Sequence, residues 1–292
     1  MTLMPGLIES HAHLSINNTD DLTALGRIPP EEHTLLTMQN ARLYLDHGIT
    51  SCISAASAKP RLDIVIRNAI ENGEIPGPRL LAATPWLTVT GGLGDMRTLH
   101  MPKVDSMAIM ADGPEEYRRL TRELIREGVD IIKLVISGDS FVPHAGSETT
   151  IMSEEEVEAA AKVTHAHGKR LSAHARSAKS VKLCVRHGIK VIYHANYADE
   201  EAFDLLEAKA ILPTLVILPS LTLKLVPTIA AKVPAAAEAA PITVPSILPP
   251  LISAVVTVPK SAIVVPLNVE PLPNTICSLP SVVTNFMYEL PP

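Results

Sequence analysis

His11 and His13 stand two residues apart at the end of the apolar run Met4-Pro5-Gly6-Leu7-Ile8-Glu9-Ser10-His11-Ala12-His13-Leu14. In an extended chain the side-chain period is two, so both imidazoles point to one side of a strand and can grip one metal ion between them. Neutral imidazole is the commonest metal ligand, and Zn²⁺ is the ion it usually serves. Two histidines at this spacing also arise by chance on surfaces, so the reading gains its weight from partners downstream. Three such partners exist. Lys133 sits inside Asp130-Ile131-Ile132-Lys133-Leu134-Val135-Ile136, and His174 and His194 each end an apolar run. A lysine among Ile and Val is costly to bury charged; it must snorkel to the rim, find a partner or change chemically.

These residues need a scaffold that brings separate strand ends together. Apolar, β-branched runs alternate with amphipathic stretches, the pattern of a parallel sheet with covering helices. Strands are expected at 6–11, 49–55, 79–87, 130–136, 170–174 and 190–194, with a seventh at 211–218. Helices are expected at 30–46, 60–72, 114–127, 154–167, 178–187 and 199–207. Ser153 and Glu156 form a capping box, Asp199 caps the last helix, and Gly48, Gly73, Gly128, Gly168 and Gly188 each follow a helix end. Six βα units in series predict most of a (β/α)8 TIM-like barrel, an α/β fold whose chemistry sits where strands run into the βα loops. No phosphate-binding G-x-G-x-x-G turn follows the first strand, which argues against a nucleotide-binding sheet.

The pattern stops near residue 208. All fourteen glycines lie at or before Gly188, and no aspartate follows Asp204. Residues 209–292 hold fifteen of the twenty-five prolines and seven charged side chains. Prolines at this density interrupt every candidate helix and deny donors to a central strand, so the barrel is expected to be incomplete, with an aberrant Pro-rich C-terminal segment. Its composition is that of a degraded or frame-shifted barrel end. No proline-free run in it approaches the roughly 20 residues of a spanning helix.

A net charge of -6 and a pI near 6.0 provide no basic field for nucleic acid or an anionic membrane. A small-molecule substrate is the natural partner, and a homo-oligomer is compatible with the composition. Cys52, Cys184 and Cys277 are odd in number and form no C-x-x-C pair, so neither a disulfide framework nor a thiolate zinc site is indicated. Met1 to Gly6 lacks the basic and apolar regions of a signal peptide, which makes the cytoplasm the expected location.

The residues around the candidate ligands carry a family resemblance. Pro5 to His13, the lysine of Ile131-Ile132-Lys133, Ser172-Ala173-His174 and Ile192-Tyr193-His194 resemble the metal-ligand set of the amidohydrolase superfamily. Gly73-Glu74-Ile75-Pro76-Gly77-Pro78-Arg79 and Thr88-Val89-Thr90-Gly91-Gly92-Leu93-Gly94-Asp95 resemble its branch of imidazolonepropionase-like enzymes, Xaa-Pro dipeptidases and ochratoxin-degrading amidohydrolases. The resemblance runs from about Pro5 to Glu207. It implies two Zn²⁺ ions or other divalent metals per chain: His11 and His13 on one, His174 and His194 on the other, and Lys133 bridging as a CO₂-derived carbamate. Lys133 and His194 would then be catalytic, and a metal-bound hydroxide would attack an amide carbonyl. The family also has a small N-terminal β-domain and an eighth-strand aspartate that carries the proton; neither is matched in this sequence.

Weaker assignments concern substrate contact. Asp95, Arg97 and His100 follow the glycine-rich turn after the third strand, His144 lies in the loop after Lys133, and Arg176 follows His174. Arg176 has a fork suited to a carboxylate. His165 and His167 lie near a helix C-terminus, where a cation suits the dipole, and are read as surface. Three functions are consistent with these residues: a metal-dependent amidohydrolase acting on a peptide-like or N-acyl amino acid bond, a catalytically impaired metal-binding barrel fragment, and a lactone or phosphotriester hydrolase on the same centre.

Overall fold

The computed structural model describes residues 4–16, 22–95, 98–100, 106–140, 142–211 and 214–215. The expected Pro-rich segment lies outside the described residues apart from 209–211 and 214–215, as does Arg97. Among the described residues no helix is long and apolar enough to cross a membrane.

The chain alternates strands with helices. Strands β1 (Leu7–Ala12) and β2 (Ile49–Ser54) flank helices α1 (Leu22–Arg27) and α2 (Pro30–Asp46). Helix α3 (Leu62–Glu71) leads to β3 (Arg79–Leu81), β4 (Trp86–Thr88) and β5 (Ala108–Met110). Then come α4 (Pro114–Arg126), β6 (Ile131–Val135), α5 (Glu154–Ala166), β7 (Arg170–Ser177), α6 (Ala178–Arg186), β8 (Val191–Tyr197), α7 (Glu200–Ala208) and the two-residue β9 (Thr214–Leu215). All six expected helices form, and their punctuation is as read. Ser153 and Glu156 make both bonds of the capping box, Asp199 accepts from the Ala202 amide, and the five helix-ending glycines have positive φ.

One correction concerns the third strand, expected to run unbroken over 79–87. It divides into β3 and β4 because Pro85 has no amide to give a ladder. The break is bridged: Ala83 pairs with Ile131, and the Thr84 hydroxyl accepts from the Lys133 amide at 2.9 Å. Of the expected seventh strand, Thr214–Leu215 pairs with β8. Two short elements, α1 and β5, have no counterpart in the sequence reading.

All strand pairs are parallel, in the orders β1-β2-β3 and β5-β4-β6-β7-β8-β9, joined by the Ala83 bridge. In a flat sheet β1 and β8 would lie five strand spacings apart, about 24 Å. Instead the His11 ring stacks on Tyr193 of β8 at 4.2 Å between centroids. The sheet is therefore rolled, the geometry of a TIM-like barrel. Alternation assigns its two faces. Ile132, Leu134 and Ile136 share a core cluster with Tyr117, Leu120 and Leu124 of α4 and Val157 and Ala160 of α5. Leu171, Ala173 and Ala175 of β7 belong to the same cluster. Lys133, Ser172, His174 and Arg176 consequently face the barrel interior.

Candidate metal centre

Four strands deliver five side chains to that interior. The ring of His11 lies 5.1 Å from that of His13 and 5.0 Å from that of His194, and His194 lies 4.5 Å from His174, all between centroids. The Lys133 amine lies 3.8 Å from the centre of the Tyr193 ring, on which His11 also stacks. Trp86 meets His13 edge-on at 6.4 Å. Tyr193 and His194 are consecutive, yet both turn inward. Strict alternation forbids this; His194 at φ 78° and Ala195 at φ 53° permit it. Left-handed backbone at residues other than glycine costs about 1–3 kcal/mol and persists where surrounding structure enforces it, typically at functional sites.

Burial sets the protonation of the group. Lys133 is 1% exposed, and desolvation holds its pKa far below that of a free lysine. The same desolvation, reinforced by neighbouring cations, lowers His11, His174 and His194 well below the ordinary imidazole value. His13 is pushed down to about 3, chiefly by burial and then by Lys133. The imidazoles are therefore neutral, the form that donates a lone pair to a metal. The His174 Nε2 donates to the Gly138 carbonyl at 3.0 Å, which leaves its Nδ1 as the lone-pair nitrogen. His13 Nδ1 and His194 Nδ1 are enclosed without any hydrogen-bond partner. Enclosed polar nitrogens of this kind are costly and call for a ligand.

Among the described residues no three His, Cys, Asp or Glu side chains stand in a ready metal-binding arrangement. The rings rest on each other and on Tyr193 rather than converging on one point. The donor set nonetheless fits a divalent cation, with its neutral imidazoles, two orphaned ring nitrogens and a desolvated amine.

The expected substrate-contact residues lie in different settings. Arg176 is 5% exposed and already engaged: its Nε donates to Asp139 at 2.9 Å and a terminal nitrogen donates to Asn196 at 2.8 Å. Asp95 closes its own turn by accepting from the Gly91 amide at 3.1 Å. His144 is exposed and donates to the Gly91 carbonyl, which ties the loop after β6 to the glycine-rich turn after β4. His100 is exposed beside Thr98. His165 is exposed and donates to the His187 carbonyl, and His167 is an exposed residue at the end of α5.

The sequence reading did not single out Asp139, Asn196, Tyr193 or Trp86. Asp139 is 2% exposed, with a carboxylate oxygen 3.4 Å from His174 Nε2, and burial raises its pKa against the pull of Arg176. Its place three residues after the apolar run that carries Lys133 was the available signal.

The sequence pattern described as the amidohydrolase family matches residues 2–264. The ochratoxinase of Aspergillus niger is 28% identical over 227 residues, 72% of this chain and 46% of that protein. The chain thus spans about half the length of the curated relatives it matches. The crystal structure of a prolidase complexed with N-methylphosphonate-L-proline has a TM-score of 0.65 at 28% identity, over 72% of this chain and 52% of that one. The A. niger ochratoxinase crystal structure, at 24% identity and TM-score 0.64, covers 76% of this chain and 54% of its own, a likeness of fold.

Proposed function

The chain belongs to the amidohydrolase family, and from that premise we propose that it is a metal-dependent hydrolase of amide bonds in peptide-like or N-acyl amino acid substrates. The observation that carries the proposal is the convergence of His11, His13, Lys133, His174 and His194 from four strands onto one barrel interior. In this reading His11 and His13 would hold one divalent cation and His174 and His194 a second, and Lys133, as a carbamate, would supply oxygen donors. When bound, the cations supply Lewis acidity to the scissile carbonyl and lower the pKa of water.

The protein's own groups contribute the rest. Desolvation lowers the Lys133 pKa and so favours the neutral amine, the nucleophilic form that would add CO₂ and lose a proton to give an anionic oxygen donor. Gly138 fixes the His174 tautomer, and the Asp139–Arg176–Asn196 set braces the mouth of the site between β6, β7 and β8. His144, with Asp95, Arg97 and His100, is assigned to contact a small substrate carrying a carboxylate. The prolidase relative, crystallised with a proline phosphonate, supports that substrate class.

A second reading, metal binding without turnover, is favoured by the absence of any aspartate after Asp204. Hydrolysis of Xaa-Pro dipeptides and N-acyl amino acids, followed as released amine with Zn²⁺ and bicarbonate present, separates the two. Amine release that is abolished by a chelator and by His174→Ala supports the hydrolase. Bound metal with no release supports the second reading, and cleavage confined to lactones or phosphotriesters would overturn the substrate class.

A further inference from the structure

Asp63, in the first turn of α3, is fully buried, and among the described residues no cation pairs with it. Its carboxylate instead accepts from the hydroxyls of Ser15 at 2.9 Å and Ser54 at 2.5 Å, and its own amide donates to the Ser57 hydroxyl at 3.3 Å. Ser15 passes the grip onward, its hydroxyl accepting from the Ala58 amide at 2.8 Å. Asp63 thus ties together, through its carboxylate and its amide, the turn after β1, the end of β2 and the loop over residues 55–58.

Both tied segments touch His13. On one side, the Ile16 amide donates to the His13 carbonyl at 3.2 Å, which makes Ser15 part of the turn that carries the histidine. On the other, the Ala55 amide, next to Ser54, donates to the Ala12 carbonyl at 2.8 Å, and the Ala56 backbone faces the His13 ring. The far side of the turn is held by α2, where Asn40 donates to the Leu14 carbonyl and His33 to the Ser15 carbonyl. An apolar residue in place of Asp63 would fill the same space without the desolvation cost. What the carboxylate adds is direction, because it fixes hydroxyls from two segments at once.

We propose that Asp63 is a positioning residue for His13, acting through Ser15, Ser54 and Ser57 to fix both the backbone and the ring orientation of that histidine. The proposal rests on the ligand role given to His13 above. Outer groups that fix the tautomer and angle of a ligating histidine typically change metal affinity by about 10- to 100-fold.

The test uses the full chain with Asp63→Ala, Asp63→Asn and, as a control for mere loss of stability, Arg67→Ala. Long-range proton–nitrogen spectra of the metal-free protein read the His13 tautomer, its signals assigned by their loss in His13→Asn. Competition with a chromogenic chelator reads Zn²⁺ affinity. Asp63→Ala is expected to give mixed His13 tautomers and about tenfold weaker Zn²⁺ binding. Asp63→Asn, which keeps the shape and one carbonyl acceptor, and Arg67→Ala are expected to resemble the wild type in both readouts. A single wild-type tautomer together with wild-type affinity in Asp63→Ala would overturn the proposal. Should Asp63→Ala fail to fold, Ser15→Ala removes one arm of the clamp and is held to the same two readouts. A wild-type protein that binds no Zn²⁺ would defeat the metal reading alone, and the tautomer spectra would still decide the clamp.

Discussion

At the start of β6 the charged groups come in matched sets, whereas in the barrel interior a lysine and two histidine nitrogens do not. Arg67 of α3 donates to Asp130 and to the Gly128 carbonyl, and Asp130 accepts in addition from the Ala82 amide. Every partner there is supplied by the fold itself. In the barrel interior Lys133 meets an aromatic face and no carboxylate among the described residues, while His13 and His194 keep enclosed ring nitrogens unbonded. The helix-facing side of β6 and β7 is close-packed and apolar, so the cost of this arrangement is confined to one face of the sheet. A fold that satisfies its charges at the start of β6 and leaves an amine and two ring nitrogens unsatisfied in its interior fits the ligand site proposed there.

The comparison breaks most visibly on metal content. His174→Ala is expected to lose bound Zn²⁺, whereas His167→Ala, altered outside the barrel, should keep the wild-type amount by elemental analysis. Equal metal in both would put His174 outside the site.

Asp63 sharpens the comparison through pH. Burial raises its pKa from 3.8 to about 6 in the folded protein, despite the three serine hydroxyls that pull it down. Because the folded value is the higher one, this contribution to stability is fully present below about pH 4 and is lost as pH rises through about 6. At neutral pH the lost stability amounts to about 3 kcal/mol. Urea unfolding at pH 4.5 and pH 7.5 should show Asp63→Asn lacking that part of the wild-type slope. An unchanged slope would mean that the carboxylate titrates normally.

Opposite signs are expected from the barrel interior and from the start of β6. Lys133→Met should raise stability by about 2 kcal/mol while abolishing the second metal site, since it removes a desolvated, unpaired amine at nearly constant volume. Arg67→Ala should lower stability by about 2 kcal/mol with Zn²⁺ stoichiometry unchanged, because it leaves Asp130 without its cation. Denaturant midpoints and metal analysis on the same samples check both; a destabilised Lys133→Met would show that the lysine contributes to the fold. The smallest effect is at Ser153, where Ser153→Ala removes half of the α5 capping box. It should cost about 1 kcal/mol with no change in metal.

Much of the scaffold was legible because its signals are local. The Ser153 box, the Asp199 cap and the glycines after the helices act within a turn of the residues that announce them. The five candidate ligands were legible as polar residues interrupting or ending apolar runs, and the structure brings their side chains into one interior. The remainder depends on partners distant in sequence. Pro85 marked the break in the third strand, but the role of Thr84 in bridging it depends on Lys133, forty-nine residues away. Asp139 reads as an ordinary loop acid until Arg176 and His174 close over it. The inward turn of both Tyr193 and His194 rests on two left-handed residues, His194 and Ala195, that carry no glycine or asparagine signal. Strand β5 is three residues long, too short to show a period.

The most direct test of the central claim is elemental analysis of the full chain purified with Zn²⁺ and bicarbonate, with intact mass measured on the same sample. The arrangement of His11, His13, Lys133, His174 and His194 is expected to retain two divalent ions per chain, falling below two after His174→Ala. A wild-type chain of correct mass that retains no metal would contradict the claim that this barrel interior is a metal centre.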